Sequence, residues 1–239
     1  MQKGYKPEDF VLFMLIIGID DAGRGPLIGP MILAGVLLEA EQEKFLKKEG
    51  VKDSKQLVHA SRVKLAEVIL KNSIKTHVTK SMPEEIDAFV ESKSNLNTLE
   101  ATKTAEIINY FNDGGEKIKV IVDCPSVNTS AWKKTLMTFV KNPDNLEIHC
   151  EHKADVNHPS VSAASILAKV AREDEVGKIK KQYFEYGNMG SGYPSDPATK
   201  VFLKKNGKKL ENSGIFRKSW TTWKELFPNS KKQSTLEGF

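Results

Sequence analysis

Val11-Leu-Phe-Met-Leu-Ile-Ile-Gly-Ile19 runs straight into Asp20-Asp21-Ala-Gly-Arg-Gly-Pro26, and the reading of this junction decides the fold. The apolar run shows no alternation, which is the pattern of a strand buried on both faces. Two adjacent acids stand at its mouth. A buried ion must be paired, hydrogen-bonded or bound to metal, so the pair implies a use. Gly23 and Gly25 let the backbone approach a ligand closely, and Arg24 points to an anionic one. Carboxylates beside an anion-friendly loop make electrostatic sense when a divalent cation sits between them.

Working outward, residues 31–38 (MILAGVLL) read as the hairpin partner of this strand, across a Gly/Pro-rich turn. A polar helix is expected over 41–48. Asp53-Ser54-Lys55 reads as a helix entry leading to 62–70. Residues 74–79 alternate as a third strand, and 83–90 form a short helix with proline in its first turn. Residues 97–111 carry Leu99, Ala101, Ala105, Ile108 and Phe111 at helical spacing. A fourth strand over 119–122 delivers Asp123 at its C-terminal end. A helix over 132–140 and a fifth strand over 146–150 follow. One long helix is predicted over 159–184, beginning near Asp155, and a Gly/Pro/Ser-rich loop over 187–197 ends it. Short helices are expected near 199–205 and 220–227, and 228–239 as a polar end. Strands first and then alternating helix and strand imply a mixed sheet with helices on both faces. If the strands ending at Asp20 and Asp123 are neighbours, their carboxylates converge at one sheet edge.

The 239 residues suffice for one α/β domain with a small appendage, and the net charge of +5 favours a polyanionic partner. Cys124 and Cys150 form no CxxC and no disulfide framework, which makes a reducing cytosol the default. The apolar stretch ending at Ile19 is too short to span a bilayer, and Glu8 and Asp9 spoil a signal-peptide n-region. A cytoplasmic protein without membrane association is expected.

Asp20, Asp21, Asp123 and Asp155 are the candidate metal ligands. Four acids can hold two hard cations about 4 Å apart, the arrangement for in-line phosphoryl displacement. Turn residues and a helix cap would use the same acids differently, but two acids ending one core strand and a third ending another favour metal. The Gly23–Gly29 segment is neither a dinucleotide fingerprint nor a P-loop. His149-Cys150-Glu151-His152 cannot converge on one ion, because strand residues alternate faces. Basic runs at 178–181, 204–205, 208–209 and 217–218 lie beside Tyr183, Tyr186, Tyr193, Trp220 and Trp223. A nucleic-acid groove and solvated helix faces both account for them.

The chain resembles the ribonuclease HII family, archaeal in type and similar to the eukaryotic type 2 catalytic subunit. The resemblance rests on Gly18-Ile-Asp-Asp-Ala-Gly-Arg-Gly-Pro26, Asp53-Ser-Lys55, Asn95-Leu-Asn97 with Leu99-Glu-Ala101, and Val122-Asp123. It continues through Lys153-Ala-Asp155, Ser162-Ala-Ala-Ser-Ile-Leu-Ala-Lys-Val-Ala-Arg172, Gly190-Ser-Gly-Tyr-Pro194 and Arg217-Lys-Ser-Trp220. It implies an RNase H-like α/β fold: a mixed five-stranded sheet flanked by helices, with a small helical C-terminal subdomain. The expected organisation is a catalytic domain over 1–185, the helical subdomain over 186–228 and a tail over 229–239. The implied activity is endonucleolytic hydrolysis of RNA in RNA–DNA hybrids and 5′ of single ribonucleotides embedded in duplex DNA. Two Mg2+ or Mn2+ ions on Asp20, Asp21, Asp123 and Asp155 would serve it, leaving 3′-hydroxyl and 5′-phosphate ends. Gly23, Arg24 and Gly25 would read the ribose 2′-hydroxyl, Tyr193 would stack on the neighbouring sugar and Lys55 would contact phosphate. Asp21 stands where the family usually has glutamate. The tail resembles a sliding-clamp-binding box carried by Gln233, Leu236 and Phe239, on a protein expected to be a monomer. Two other readings compete: an RNase H-like DNA junction nuclease without the 2′-hydroxyl reader, and a non-catalytic nucleic-acid-binding module.

Overall fold

A computed structural model of the chain describes residues 15–51, 57–92 and 94–228. Five strands form one sheet in the order β3-β2-β1-β4-β5. These are β1 (Leu15–Ala22), β2 (Met31–Leu38), β3 (Lys75–Ser81), β4 (Ile118–Asp123) and β5 (Leu146–Glu151). β1, β2 and β3 are antiparallel neighbours, whereas β4 and β5 run parallel to β1. The RNase H-like mixed sheet is therefore the observed fold.

The sheet is covered on both sides because β1 and β2 are apolar on both sides. Ile17, Ile19, Leu33 and Leu37 face α3 (Pro83–Glu91), α4 (Leu96–Phe111) and α5 (Thr129–Met137), packing with Ile86, Leu99, Ile108 and Trp132. The alternate residues Ile32, Ala34, Val36 and Leu38 pack on the opposite face. There they meet α1 (Ala40–Lys48), α2 (His59–Asn72) and α7 (Pro159–Gln182). The period-2 alternation of a strand thus feeds two separate cores. α7 lies unusually close to β1. A Cβ built on Gly18 would come within 2.2 Å of the Ser160 backbone, and the α7 face there is Ser160, Ala163 and Ala164, all buried. Small residues on both partners permit that approach.

A third core joins α8 (Pro197–Asn206) and α9 (Thr221–Leu226) to the rest through Phe202, Leu203, Phe216 and Trp223. Leu27 and Ile28, from the turn after β1, insert into it. Leu27 and Ile28 N–H groups donate to Gly192 O, Gly29 N–H donates to Ile215 O, and Arg217 N–H donates to Leu27 O.

Three expectations need correction. β1 does not stop at Ile19: it stays paired with β2 through Asp20↔Ala34, Asp21↔Leu33 and Ala22↔Ile32, while its pairing with β4 ends at Ile19↔Val122. The helix expected over 132–140 begins earlier, because the Asn128 side chain accepts from Ala131 N–H and caps it. The single long helix from Asp155 is two pieces, α6 (Ala154–Asn157) and α7, with a 3-10 turn over Phe184–Tyr186. Pro159 forces the break: it disfavours the helical region at the preceding residue, and His158 sits at φ −122°, ψ 116°. Asp155 is therefore not the cap of α7, a position His158 takes. Asp53-Ser54-Lys55 and residues 11–14 lie outside the described residues.

Candidate active site

Asp20 comes from β1, Asp123 ends β4 and Asp155 sits on α6. The parallel pairing of β1 and β4 sets Asp20 and Asp123 one step beyond their last shared register. α6 is tied to β4 by Ala154 N–H donating to Asp123 Oδ1 at 3.1 Å. Lys153, left-handed at φ 57°, turns the chain so that this short helix points back over the strand ends. Carboxylate oxygens of Asp20, Asp123 and Asp155 lie within 4.8 Å of one another, the one such group of potential ligands among the described residues. Asp20 and Asp155 are buried and Asp123 half-buried.

Burial pushes the Asp20 carboxyl well above its ordinary range, and the charges of Asp21 and Asp123 push further, against a hydrogen bond from Ser165. Like charges brought together out of water destabilise one another until a counter-charge arrives. All-oxygen, hard donors at this spacing suit a divalent cation such as Mg2+ or Mn2+.

Asp21 does not join that group. Alternation along β1 places it on the α4 face, where it lines a narrow cleft with Ile19, Leu33, Glu100, Thr104 and Trp132, which Asp20 and Asp123 also line. Burial lifts its carboxyl to about 6, with Arg24 pulling it down and Asp123 pushing it up.

Gly23, Arg24 and Gly25 line an adjoining groove of about 430 Å3 with Asp21, Lys169, Arg172 and Tyr193. Gly23 is required there: its φ is +87°, and a Cβ would strike the Arg172 side chain and Pro30 O. The Tyr193 ring lies beside Gly25, and the Arg172 guanidinium sits 5.6 Å over the ring centre. Arg24 turns its guanidinium toward α4, pairing with Glu100 Oε2 and donating to Asn97 Oδ1 at 2.7 Å.

The loop is held from behind by residues that the sequence reading assigned elsewhere. Arg217, counted there in a basic run, is 0% exposed. Its guanidinium donates to Gly23 O at 2.6 Å, Arg24 O at 2.8 Å, and Gly29 O at 3.1 and 3.0 Å. Burial brings its pKa down to about 9, so it is cationic at neutral pH. Trp220 Nε1 donates to Gly25 O at 3.2 Å. Asp87 of α3 fixes this segment by accepting from Lys218 N–H and Ser219 N–H. Arg62, Lys169 and Arg172 in the groove, and Glu100, also escaped notice, although Glu100, Lys169 and Arg172 stand inside motifs quoted above. Residues 149–152 make no shared site: His149 bonds Glu147, His152 bonds Cys124 O and Glu151 bonds His158. Burial raises the Cys150 thiol to about 12, which leaves it inert. Lys55, Gln233, Leu236 and Phe239 lie outside the described residues.

The ribonuclease HII family profile matches residues 17–223, spanning the sheet, the acids and the Gly23–Gly29 loop. The chain belongs to the ribonuclease HII family. It is 43% identical to the ribonuclease HII of Methanococcus maripaludis strain C6 over 228 residues, 93% of this chain and 91% of that one. The crystal structure of ribonuclease H2 from Pyrococcus horikoshii superposes with a TM-score of 0.78 at 35% identity, covering 90% of this chain and 98% of the other. The ribonuclease HII of Archaeoglobus fulgidus, solved as a complex with PCNA, gives 0.75 at 37% identity, covering 87% and 95%. As a ribonuclease HII, the chain is a type 2 ribonuclease H, an endonuclease that cleaves the RNA of RNA–DNA hybrids. The family depends on divalent metal, for which this chain carries the acidic group described above. No helix among the described residues is long and apolar enough to cross a membrane.

Proposed function

We propose that the chain cuts both long RNA–DNA hybrids and single ribonucleotides embedded in duplex DNA, on their 5′ side, leaving 3′-hydroxyl and 5′-phosphate ends. The observation that carries this reading is the placement of the Asp20, Asp123 and Asp155 carboxylates beside a groove floored by the Gly23-Arg24-Gly25 backbone. Asp20, Asp21, Asp123 and Asp155 hold two Mg2+ or Mn2+ ions. Bound there, the pair supplies an activated water for in-line attack and charge stabilisation on the departing 3′ oxygen.

The chain's own residues do the selecting. The backbone of Gly23 to Gly25 meets the ribose, where the 2′-hydroxyl is both donor and acceptor and deoxyribose offers neither. Arg217 and Trp220 occupy three of the outward carbonyls of this loop, which keeps its remaining groups turned to the groove. Tyr193 stacks on the neighbouring sugar. Lys169, Arg172 and Lys55 answer the phosphates. Residues 1–185 form the catalytic domain and 186–228 the helical subdomain. The tail over 229–239 docks Gln233, Leu236 and Phe239 on a sliding clamp, a reading that the clamp complex of the A. fulgidus relative supports. Such an enzyme, monomeric and cytoplasmic, fits ribonucleotide removal during DNA replication and repair.

The test is a DNA duplex carrying one ribonucleotide, incubated with Mg2+ or Mn2+, with both product ends mapped. One cut 5′ of the ribonucleotide is expected, and Asp123→Asn should lower the rate by more than about 100-fold, since even outer-shell losses reach that size. Cleavage of an all-DNA junction with the ribonucleotide ignored would overturn the proposal.

A further inference from the structure

Glu100 lies on α4, 2% exposed at its side chain. Its Oε2 is engaged by Arg24, whereas its Oε1 is buried without a hydrogen-bond partner. A buried acceptor left unmet is costly, so that oxygen calls for a donor or a cation. The cleft it lines with Asp20, Asp21, Thr104 and Asp123 has a volume of about 10 Å3, room for about one water molecule.

The geometry points to Glu100 as a fifth carboxylate of the cation site, acting through a water molecule held between its Oε1 and Asp21. The inference rests on the cation-site reading above. Asp21 lies on the same face of β1 as this cleft, and aspartate is one methylene shorter than glutamate. The shorter arm leaves space that a water fills. A hard cation keeps several waters, and a buried carboxylate accepting from one of them strengthens the hold on the ion. Glu100 then divides its two oxygens between two tasks. Oε2 fixes Arg24 and with it the ribose-reading loop, and Oε1 supports the shell of the cation beside Asp21. Cation binding and loop position are coupled through one side chain.

Mn2+ titration of the full chain without nucleic acid, by calorimetry and by the paramagnetic signal of free Mn2+, tests this directly. Glu100→Gln keeps the side-chain size and an acceptor for Arg24, and should weaken Mn2+ binding by about 10- to 100-fold. In an Asp21→Glu background, where the longer arm fills the gap, the same change should cost less than about threefold. Should Glu100→Gln fail to fold, Glu100→Asp withdraws the oxygen from the cleft while keeping the charge, with the same expected weakening. Unchanged Mn2+ affinity overturns the inference. So does an equal loss in the Asp21→Glu background, which would show that Glu100 acts through overall charge. Asp123→Asn separates the two readings. If it abolishes Mn2+ binding while Glu100→Gln does not alter it, only the role of Glu100 falls. If Asp123→Asn leaves binding intact, the cation site itself falls.

Discussion

Arg217→Lys is the most revealing single change, because it keeps the charge and removes only the fork. The native guanidinium makes four contacts to three carbonyls, two of them as short as 2.6 and 2.8 Å. An ammonium is a point donor on a flexible stem and cannot span Gly23 O, Arg24 O and Gly29 O together. If two of those bonds are lost at about 1.5–3 kcal/mol for each bond to a charged group, the deficit is about 3–6 kcal/mol. Because the bonds cross from the C-terminal segment to the loop after β1, the loss is shared between global stability and loop position. At about 2–4 °C per kcal/mol for a chain of this size, a fall in Tm of roughly 6–24 °C bounds the global share. The remainder appears as weakened substrate recognition: KM for a duplex with one ribonucleotide should rise while the four acids stay in place. Thermal melts and steady-state cleavage, measured side by side, read the two shares. An Arg217→Lys variant with native Tm and native KM would refute the claim that this side chain holds the loop.

Three further outcomes are expected. Asp21 has a folded pKa of about 6 against an ordinary 3.8, so its contribution to stability is present at low pH and lost as pH rises through 6. Metal-stripped protein should therefore lose Tm between pH 4 and 7 more steeply than Asp21→Asn does, with no further difference above that range, and added Mn2+ should recover more at pH 8 than at pH 5. Identical pH profiles for the two proteins would count against this. Gly18→Ala drives a methyl into the Ser160 backbone and should cost about 1–3 kcal/mol, read as a Tm lower by roughly 2–12 °C; an unchanged melt contradicts the close β1–α7 approach. Deleting Lys231 to Phe239 should abolish binding to a sliding clamp in a pull-down while sparing cleavage of short duplexes, and loss of both would contradict a docking role for the tail.

Much of the sheet was legible in the chain because its pattern is local. The unbroken apolar runs of β1 and β2, and Asp123 at the end of a short valine-rich strand, needed no tertiary information. What escaped was set by partners distant in sequence. The expected helix from Asp155 ignored the restriction Pro159 places on His158, although that signal was present in the sequence. Arg217 looked like surface charge, since nothing local tells a buried arginine from a solvated one, and its acceptors lie at Gly23, Arg24 and Gly29. Glu100 shows the same blindness, its partner Arg24 being 76 positions away. Asp21 was grouped with Asp20 by adjacency, yet the pleat of β1 separates them onto opposite faces.

The bracing of the first turn by the last segment has a consequence for synthesis. A ribosome makes the acids of β1, β4 and α6 well before it makes Arg217 and Trp220. A growing polypeptide thus possesses the clustered acids before the Arg217 clasp on the Gly23–Gly29 turn. On the proposed reading of that turn, selectivity is completed later than the acid cluster.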